Sequence, residues 1–151
     1  MNYLEKIIED EKLNFDVPQS VKDLFAEEAL VMPDTYFFSD QQDLIKVLSN
    51  SRSYLERYLS DSWAKKSKDN PLETPYEALI LASIIEREAI LPSEQEKIAS
   101  VFLSRLKIDM KLQADPTSSY GFYGSYGKKI GRAVLDDENP YNTYQNKGLP
   151  P

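Results

Sequence analysis

Three charged side chains stand at the end of an apolar run. The stretch LILASIIEREAI, Leu79 to Ile90, is almost continuously aliphatic until it reaches Glu86, Arg87 and Glu88. Residues three, four and seven apart share one face of a helix. Glu88 therefore falls on a stripe with Leu81, Ile84 and Ile85, and Glu86 with Leu79, Ala82, Ser83 and Ile90. Arg87 lies near Ile80, Ser83, Ile84 and Leu91. No face of such a helix is plainly meant for water, so it is expected to run through the middle of the domain. A carboxyl held against aliphatic side chains resists ionisation, and its pKa rises. A glutamic acid that stays protonated near neutral pH can act as a general acid. The ordinary alternative is an ion pair of Glu86 or Glu88 with Arg87 or another cation, serving structure alone. On spacing alone, both glutamates remain candidates.

The rest of the composition narrows the chemistry. The chain has no histidine and no cysteine. Ser-His-Asp and Cys-His catalysis are therefore excluded, as are thiolate and imidazole metal sites and a disulfide framework. Acid–base work near neutral pH is left to a perturbed carboxyl, a lysine or a tyrosine. The net charge of -7 argues against general nucleic-acid binding, because affinity for phosphates is mostly cationic. No glycine-rich phosphate loop occurs among the five glycines. No apolar run approaches the length of a membrane span, and Met1-Asn2-Tyr3 does not open a signal peptide. With 151 residues, 41% of them hydrophobic and 28% charged, the chain can build one soluble domain with a core.

The elements that would position the glutamates are marked by their start signals. Two short helices are expected near the N-terminus, one presenting Leu4, Ile7 and Ile8 and one after Pro18 presenting Val21, Leu24 and Phe25. Asp34 after Pro33 reads as a turn, and Thr35 to Phe38 has strand-like content. Ser39 and Gln42 have the spacing of a capping box for a long helix, whose face runs through Leu44, Leu48, Ser51, Leu55, Tyr58 and Ser62. Thr74, Pro75 and Glu77 form a second box, opening the helix that carries Glu86 and Glu88 and ends near Pro92. Ser93 and Glu96 would cap a third, with Ile98, Val101, Phe102 and Leu106 on its apolar face. Beyond Met110 the texture changes. LQADPTSSYGFYGSYGKKIGR holds four of the five glycines and four aromatic residues, and it reads as a short strand or hairpin near residues 110–130. Helices followed by strand and loop favour an α+β fold, mainly helical. Tyr120, Phe122, Tyr123, Tyr126, Tyr141 and Tyr144, interleaved with Asn, Gln, Thr and Ser, suit a carbohydrate, with rings for sugar faces and amides for sugar hydroxyls. They would equally serve to cover a core short of aliphatic side chains.

Taken in order, these motifs resemble a known family. Ala82-Ser83-Ile84-Ile85-Glu86, Leu112-Gln113-Ala114-Asp115-Pro116-Thr117, Tyr141-Asn142-Thr143-Tyr144 and Gly148-Leu149-Pro150-Pro151 together look like the catalytic core of the YceG-like family, the MltG-type endolytic murein transglycosylases. Pro33-Asp34-Thr35-Tyr36 resembles the upstream element of that family. The resemblance is dense from Leu79 to Pro151 and sparse from about Leu30 to Tyr36.

The resemblance implies cleavage of the β-1,4 bond between N-acetylmuramic acid and N-acetylglucosamine inside glycan strands, leaving 1,6-anhydro-muramoyl ends. It places the single catalytic glutamate at the second of the Glu-x-Glu pair, which is Glu88 here. Glu86, Gln113, Asp115, Thr117, Tyr120, Tyr141, Asn142 and Tyr144 are then expected along the substrate groove. Of these, Glu86 would hold the site's geometry or pair with a cation, and Asp115 would either line the groove or serve only as a turn residue before Pro116. Where the family commonly has threonine after the catalytic glutamate, this chain has Ala89. No metal or cofactor is implied. A pyridoxal-phosphate lyase would need a Schiff-base lysine in a phosphate cup, and the surroundings of Lys97, Lys107 and Lys111 do not suggest one. Peptidoglycan strands and cell-wall synthases are the implied partners, at the extracytoplasmic face of the bacterial cytoplasmic membrane. The expected organisation is a helical lead-in over residues 1–74 and a catalytic core over 75–151, with the family's membrane anchor, LysM-like domain and further C-terminal segment lying outside this stretch. A non-catalytic peptidoglycan-binding or scaffold module in cell-wall synthesis is the alternative.

Overall fold

The computed structural model describes residues 31–125 and 127–151. The two helices expected before residue 30, and Tyr126, lie outside the described residues. The chain divides into two compact units at Ser62 and Trp63.

In the first unit, helix α1 (Gln41–Trp63) follows the segment that holds Pro33-Asp34-Thr35-Tyr36. Its start lies one residue beyond the expected box. Asp40 is the cap, its carboxylate accepting the Asp43 N–H at 2.8 Å. The Asp43 carboxylate in turn accepts the Ser39 hydroxyl at 3.0 Å. Asp and Ser cap comparably well, so the adjacent pair left the boundary open by one position. Ser51 and Leu55 are buried on the inner face, whereas Tyr58 of the expected stripe is exposed. The segment 31–38 has no strand, despite its β-branched and aromatic content. It is tied to α1 by side chains. The hydroxyls of Tyr36 and Ser51 lie 2.8 Å apart, and both reach the Met32 carbonyl, at 2.8 and 3.2 Å.

In the second unit, α2 (Pro75–Glu88) begins as its sequence dictates. The Thr74 hydroxyl accepts the Glu77 N–H at 3.2 Å, the Glu77 carboxylate accepts the Thr74 N–H at 3.2 Å, and Pro75 occupies the first turn. The helix stops at Glu88, with Ala89 already extended, short of Pro92. A 3-10 turn (Pro92–Glu94) leads into α3 (Gln95–Lys107), and neither has a Ser93 cap. Instead the Glu94 carboxylate accepts the Leu91 N–H at 3.1 Å. Proline at the start of the tight turn draws the chain into a 3-10 winding before the α-helix can begin.

Helix α3 ends in a Schellman motif. Met110 N–H reaches Arg105 O at 2.8 Å and Asp109 N–H reaches Leu106 O at 3.2 Å, with Asp109 left-handed at φ 54°. The reversal carries the chain back under the helices. There Leu72, Leu81, Ile84, Phe102, Leu112 and Ala114 form the core, and Trp63, Ile98, Leu106 and Leu149 pack against it. Burying a side chain of Leu or Phe size stabilises by about 1.5–3 kcal/mol, so these residues hold α2 against α3.

The hairpin expected near residues 110–130 is not present, and among the described residues there is no strand. Over the described residues the fold is accordingly mainly helical, without the strand component expected of an α+β fold. Residues 115–123 form helix α4 (Asp115–Tyr123), and α5 (Arg132–Leu135) follows. The glycines that suggested a hairpin have other uses. Gly124, at φ 64°, closes α4, its N–H bonded to Tyr120 O at 2.8 Å. Gly121 lies within the helix at a close approach: a Cβ there would stand 2.0 Å from Asn139 Oδ1 and 2.9 Å from Tyr141 Cβ. Asp115 and Pro116 in the first turn are helix-start residues. None of the described helices is long and apolar enough to cross a membrane.

Candidate active site

Glu88 is the last residue of α2, set there by the helix register that buries Leu81 and Ile84 one and two turns earlier. It is half-buried, whereas Ala82, Ser83, Glu86 and Arg87 on the other faces are exposed. The helix therefore does have a water-facing side, contrary to the reading of its sequence, and the two glutamates are separated by it. Glu86 accepts a hydrogen bond from Gln95 Nε2 at 2.7 Å, an amide where a cation was expected.

Two clefts meet at Glu88. One, of about 400 Å³, runs toward α4 and is lined by Asp115, Pro116, Ser119 and Lys128, with Arg87 at its edge. The other, of about 330 Å³, runs along α3 and is lined by Lys97, Val101, Arg105 and Gln113 over Ile98 and Phe102. Glu88 is the residue common to both.

The electrostatics favour a protonated Glu88. Burial raises its pKa above the ordinary 4.5, and the negative charge of Asp115 raises it further. The backbone N–H of Asp115 and the positive charge of Arg105 oppose this without reversing it. Asp115 is itself held in place, its Oδ1 accepting the Tyr144 hydroxyl at 2.7 Å. Burial and this bond to Asp115 push the Tyr144 phenol up to about 12, so it remains a donor. Glu88, Asp115, Tyr144 and Arg105 thus act on one another within one site.

Gln113 stands in the left-handed region at φ 53°, unusual for a residue with a side chain. Its N–H is fixed on Thr143 O at 3.1 Å, and its exposed amide lines the α3 cleft. Strained backbone of this kind persists only where the surroundings impose it.

The remaining expected groove residues do not line either cleft. Thr117 is buried, donating to Ala114 O at 2.7 Å, and its Oγ1 lies 2.8 Å from Thr143 Oγ1. Asn142 is 0% exposed and links three elements. Its Nδ2 donates to Val134 O at 3.1 Å, Leu135 O at 3.2 Å and Asp137 O at 2.6 Å. Its Oδ1 accepts from Ser118 Oγ at 2.8 Å and from the Tyr144 N–H at 3.0 Å. Tyr120 and Tyr141 meet edge to face, with centroids 5.2 Å apart. Glu88, Asp115 and Gln113 therefore line the clefts, Tyr144 is bonded to Asp115, and Thr117 and Asn142 are buried.

Arg105 and Lys128 are not singled out in the sequence, and Lys97 is weighed there only as a Schiff-base lysine. A signal for Lys97 and Arg105 was present, because Lys97, Val101 and Arg105 recur every four residues on one stripe of α3. Val101, read from the sequence as core, is 50% exposed on that stripe.

Comparison with known proteins agrees with this picture. The YceG-like family model matches residues 2–151. The endolytic murein transglycosylase of Bacillus subtilis (strain 168) is 36% identical over 156 residues, covering 100% of this chain and 41% of that protein. The endolytic murein transglycosylase of Streptococcus pneumoniae serotype 2 is 31% identical over 129 residues, covering 82% of this chain and 23% of that one. A crystal structure of a YceG-like protein from Listeria monocytogenes superposes with a TM-score of 0.60 at 31% identity, over 80% of this chain and 39% of that one. The chain thus spans about two fifths of the length of the Bacillus relative. With the motifs, the fold and these relatives in agreement, the chain belongs to the YceG-like family.

Proposed function

We propose that this chain carries the cleavage centre of an endolytic murein transglycosylase, with Glu88 as its general acid and base. The observation that supports this most directly is the position of Glu88: a half-buried carboxyl, its pKa raised, at the point where two clefts meet. A strand laid through both clefts would pass the acid at an internal bond, as endolytic cleavage requires. The curated relatives named above are called endolytic murein transglycosylases.

The substrate is the glycan strand of peptidoglycan, cut at the β-1,4 bond from N-acetylmuramic acid to N-acetylglucosamine. Glu88 gives its proton to the glycosidic oxygen as the bond to the anomeric carbon breaks, and the N-acetylglucosamine side leaves with a free 4-hydroxyl. The muramoyl 6-hydroxyl then attacks the anomeric carbon of its own ring, and the Glu88 carboxylate takes that hydroxyl's proton. The product carries a 1,6-anhydro end, the acid is restored, and no water is consumed. One carboxyl thus performs both proton transfers, where hydrolysing glycosidases use two. Asp115, anchored by Tyr144, lends negative charge as the anomeric carbon becomes cationic. Gln113 supplies amide groups to sugar hydroxyls, Thr117 and Asn142 hold these residues from beneath, and Tyr120 and Tyr141 form a ring pair beside them. Glu86, on the far face, steadies the turn into α3 through Gln95. The site of action is the extracytoplasmic face of the bacterial cytoplasmic membrane, where cell-wall synthases would supply the strands.

Digestion of purified peptidoglycan by the parent and by Glu88→Gln, with products read by mass, tests this. Anhydro-muramoyl ends from the parent and none from the variant are expected. Reducing muramoyl ends would show water as the nucleophile and overturn the single-carboxyl mechanism. Equal turnover by the variant would remove Glu88 from the chemistry.

A further inference from the structure

Thr143 stands between Asn142 and Tyr144, is 1% exposed and lines neither cleft. Its hydroxyl accepts the Ala114 N–H at 2.9 Å and lies 2.8 Å from the Thr117 hydroxyl. The Thr117 proton is already given to Ala114 O at 2.7 Å. A hydroxyl has one proton, so Thr143 must donate the bond between the two threonines. Three bonds thus close a ring: Ala114 N–H to Thr143, Thr143 to Thr117, and Thr117 to Ala114 O. Hydroxyls chained in this way polarise and strengthen one another. Thr143 grips the same bend again through its carbonyl, which takes the N–H of left-handed Gln113 at 3.1 Å.

Ala114 is 0% exposed, yet its two neighbours line the two clefts, Gln113 along α3 and Asp115 toward α4. Ala114 O and Asp115 N–H belong to one planar trans peptide and point in opposite directions. With the oxygen held in the ring, the N–H is turned the other way, to the Glu88 carboxyl on which it acts. The Asp115 side chain is fixed separately, by Tyr144 at 2.7 Å.

We infer that Thr143 is a positioning residue, which through its hydroxyl ring with Thr117 aims the Ala114–Asp115 peptide so that the Asp115 N–H meets the Glu88 carboxylate. That this matters to turnover rests on the transglycosylase reading above. Once Glu88 has given up its proton, the N–H is a donor to the carboxylate that remains, and a bond to a charged acceptor is among the stronger ones. Losing its aim leaves the charge of Asp115 in place and so favours the protonated form.

The experiment is a carbon-13 NMR titration of the Glu88 carboxyl in the full chain and in Thr143→Val, beside peptidoglycan cleavage by both. Valine keeps the shape and removes the oxygen. Glu88 is faced by Asp115 from α4, by Arg105 and Lys97 from α3, by Tyr144 and by Lys128, with Arg87 beside it on α2. These side chains should keep their places in the variant, so the Glu88 midpoint is expected to rise by about 0.5–1 in pH. Cleavage should fall about tenfold or more, and Thr143→Ser, which restores the hydroxyl, should recover both. Thr143→Val should melt lower whatever its role, because the buried Ala114 N–H loses its acceptor. The midpoint is the readout that a residue serving stability alone would not move. If Thr143→Val does not fold, Thr117→Val opens the ring with Ala114 N–H still on Thr143 and Ala114 O still on Thr117 N–H at 3.2 Å, and the same rise is expected. An unmoved or lowered midpoint in the folded variant would overturn the inference and leave the transglycosylase reading standing. A raised midpoint, with no cleavage by the parent, would uphold the positioning and overturn that reading.

Discussion

Asn142 belongs to the motif that resembles the substrate groove, yet it is 0% exposed and all its hydrogen-bonding capacity is turned inward. Asn142→Ala separates a supporting role from a sugar-binding one. The substitution takes Nδ2 away from three carbonyls, but Leu135 O keeps Gln145 Nε2 at 2.7 Å. Val134 O and Asp137 O lose this donor, and Ser118 Oγ and the Tyr144 N–H lose an acceptor. Each buried group left unpaired costs about 1–3 kcal/mol, less where water enters the space vacated. Four groups at the lower end of that range, partly rehydrated, give a loss of about 3 kcal/mol. For a chain of this length the melting temperature should then fall by about 6–12 °C. Asn142→Asp sharpens the test. Its carboxylate would face the same carbonyl oxygens, so its pKa in the folded state must rise above the unfolded value of about 3.9. That raised value makes the variant most stable, relative to the parent, below the unfolded pKa, and it loses stability as pH rises through the folded pKa. Thermal and urea unfolding followed by circular dichroism between pH 4 and 8 would check both, with strand binding measured in parallel. Asn142→Ala melting within about 2 °C of the parent while losing strand binding would refute the supporting role and return Asn142 to the groove.

Two further outcomes follow from the electrostatics of the acid. Glu88 has its folded pKa raised above 4.5, so its ionisation opposes folding as pH rises from that value through the folded pKa. Glu88→Gln should therefore unfold at higher urea than the parent at pH 7, with the gap closing below about pH 4.5; a variant less stable at pH 7 would contradict the burial of the charge. Asp115→Asn removes the like charge beside Glu88, so the alkaline limb of the pH–rate profile should move to lower pH. An unmoved limb would mean that Asp115 does not influence the acid.

How much of this was legible in the sequence depended on whether local signals competed. Thr74, Pro75 and Glu77 specify one helix start without rivals, and the structure has both capping hydrogen bonds with Pro75 in the first turn. The stripe of Leu81 and Ile84 is buried as its spacing implies, but spacing alone left Glu86 and Glu88 both open, and it is the packing that puts Glu86 on an exposed face and Glu88 at the edge of the buried one. The segment from Asp115 to Gly124 misled, since its glycines and aromatics also suit a hairpin. The deciding fact is non-local: Gly121 lies under Asn139, eighteen residues on, and no local pattern shows that a glycine serves close packing rather than a turn. Ser93 failed as a cap because Pro92 enforces a tighter turn before the α-helix. The cationic stripe on α3 was visible as periodicity, but Val101 within it suggested burial.

The contacts that complete the site have a consequence for the order in which it forms. Helices α2 and α3 are joined by a short turn and can meet early. Asp115 is held by Tyr144 across 29 residues, Ser118 by Asn142 across 24, and Lys111 by Tyr144 O across 33. Closing loops of that length costs chain entropy before any contact repays it. Glu88 should thus find its place on the α2–α3 pair first and acquire Asp115 only when the tail closes. The same tail, opening as a unit in the folded protein, would expose the amides of residues 139–146 to hydrogen exchange while those of α2 stay protected.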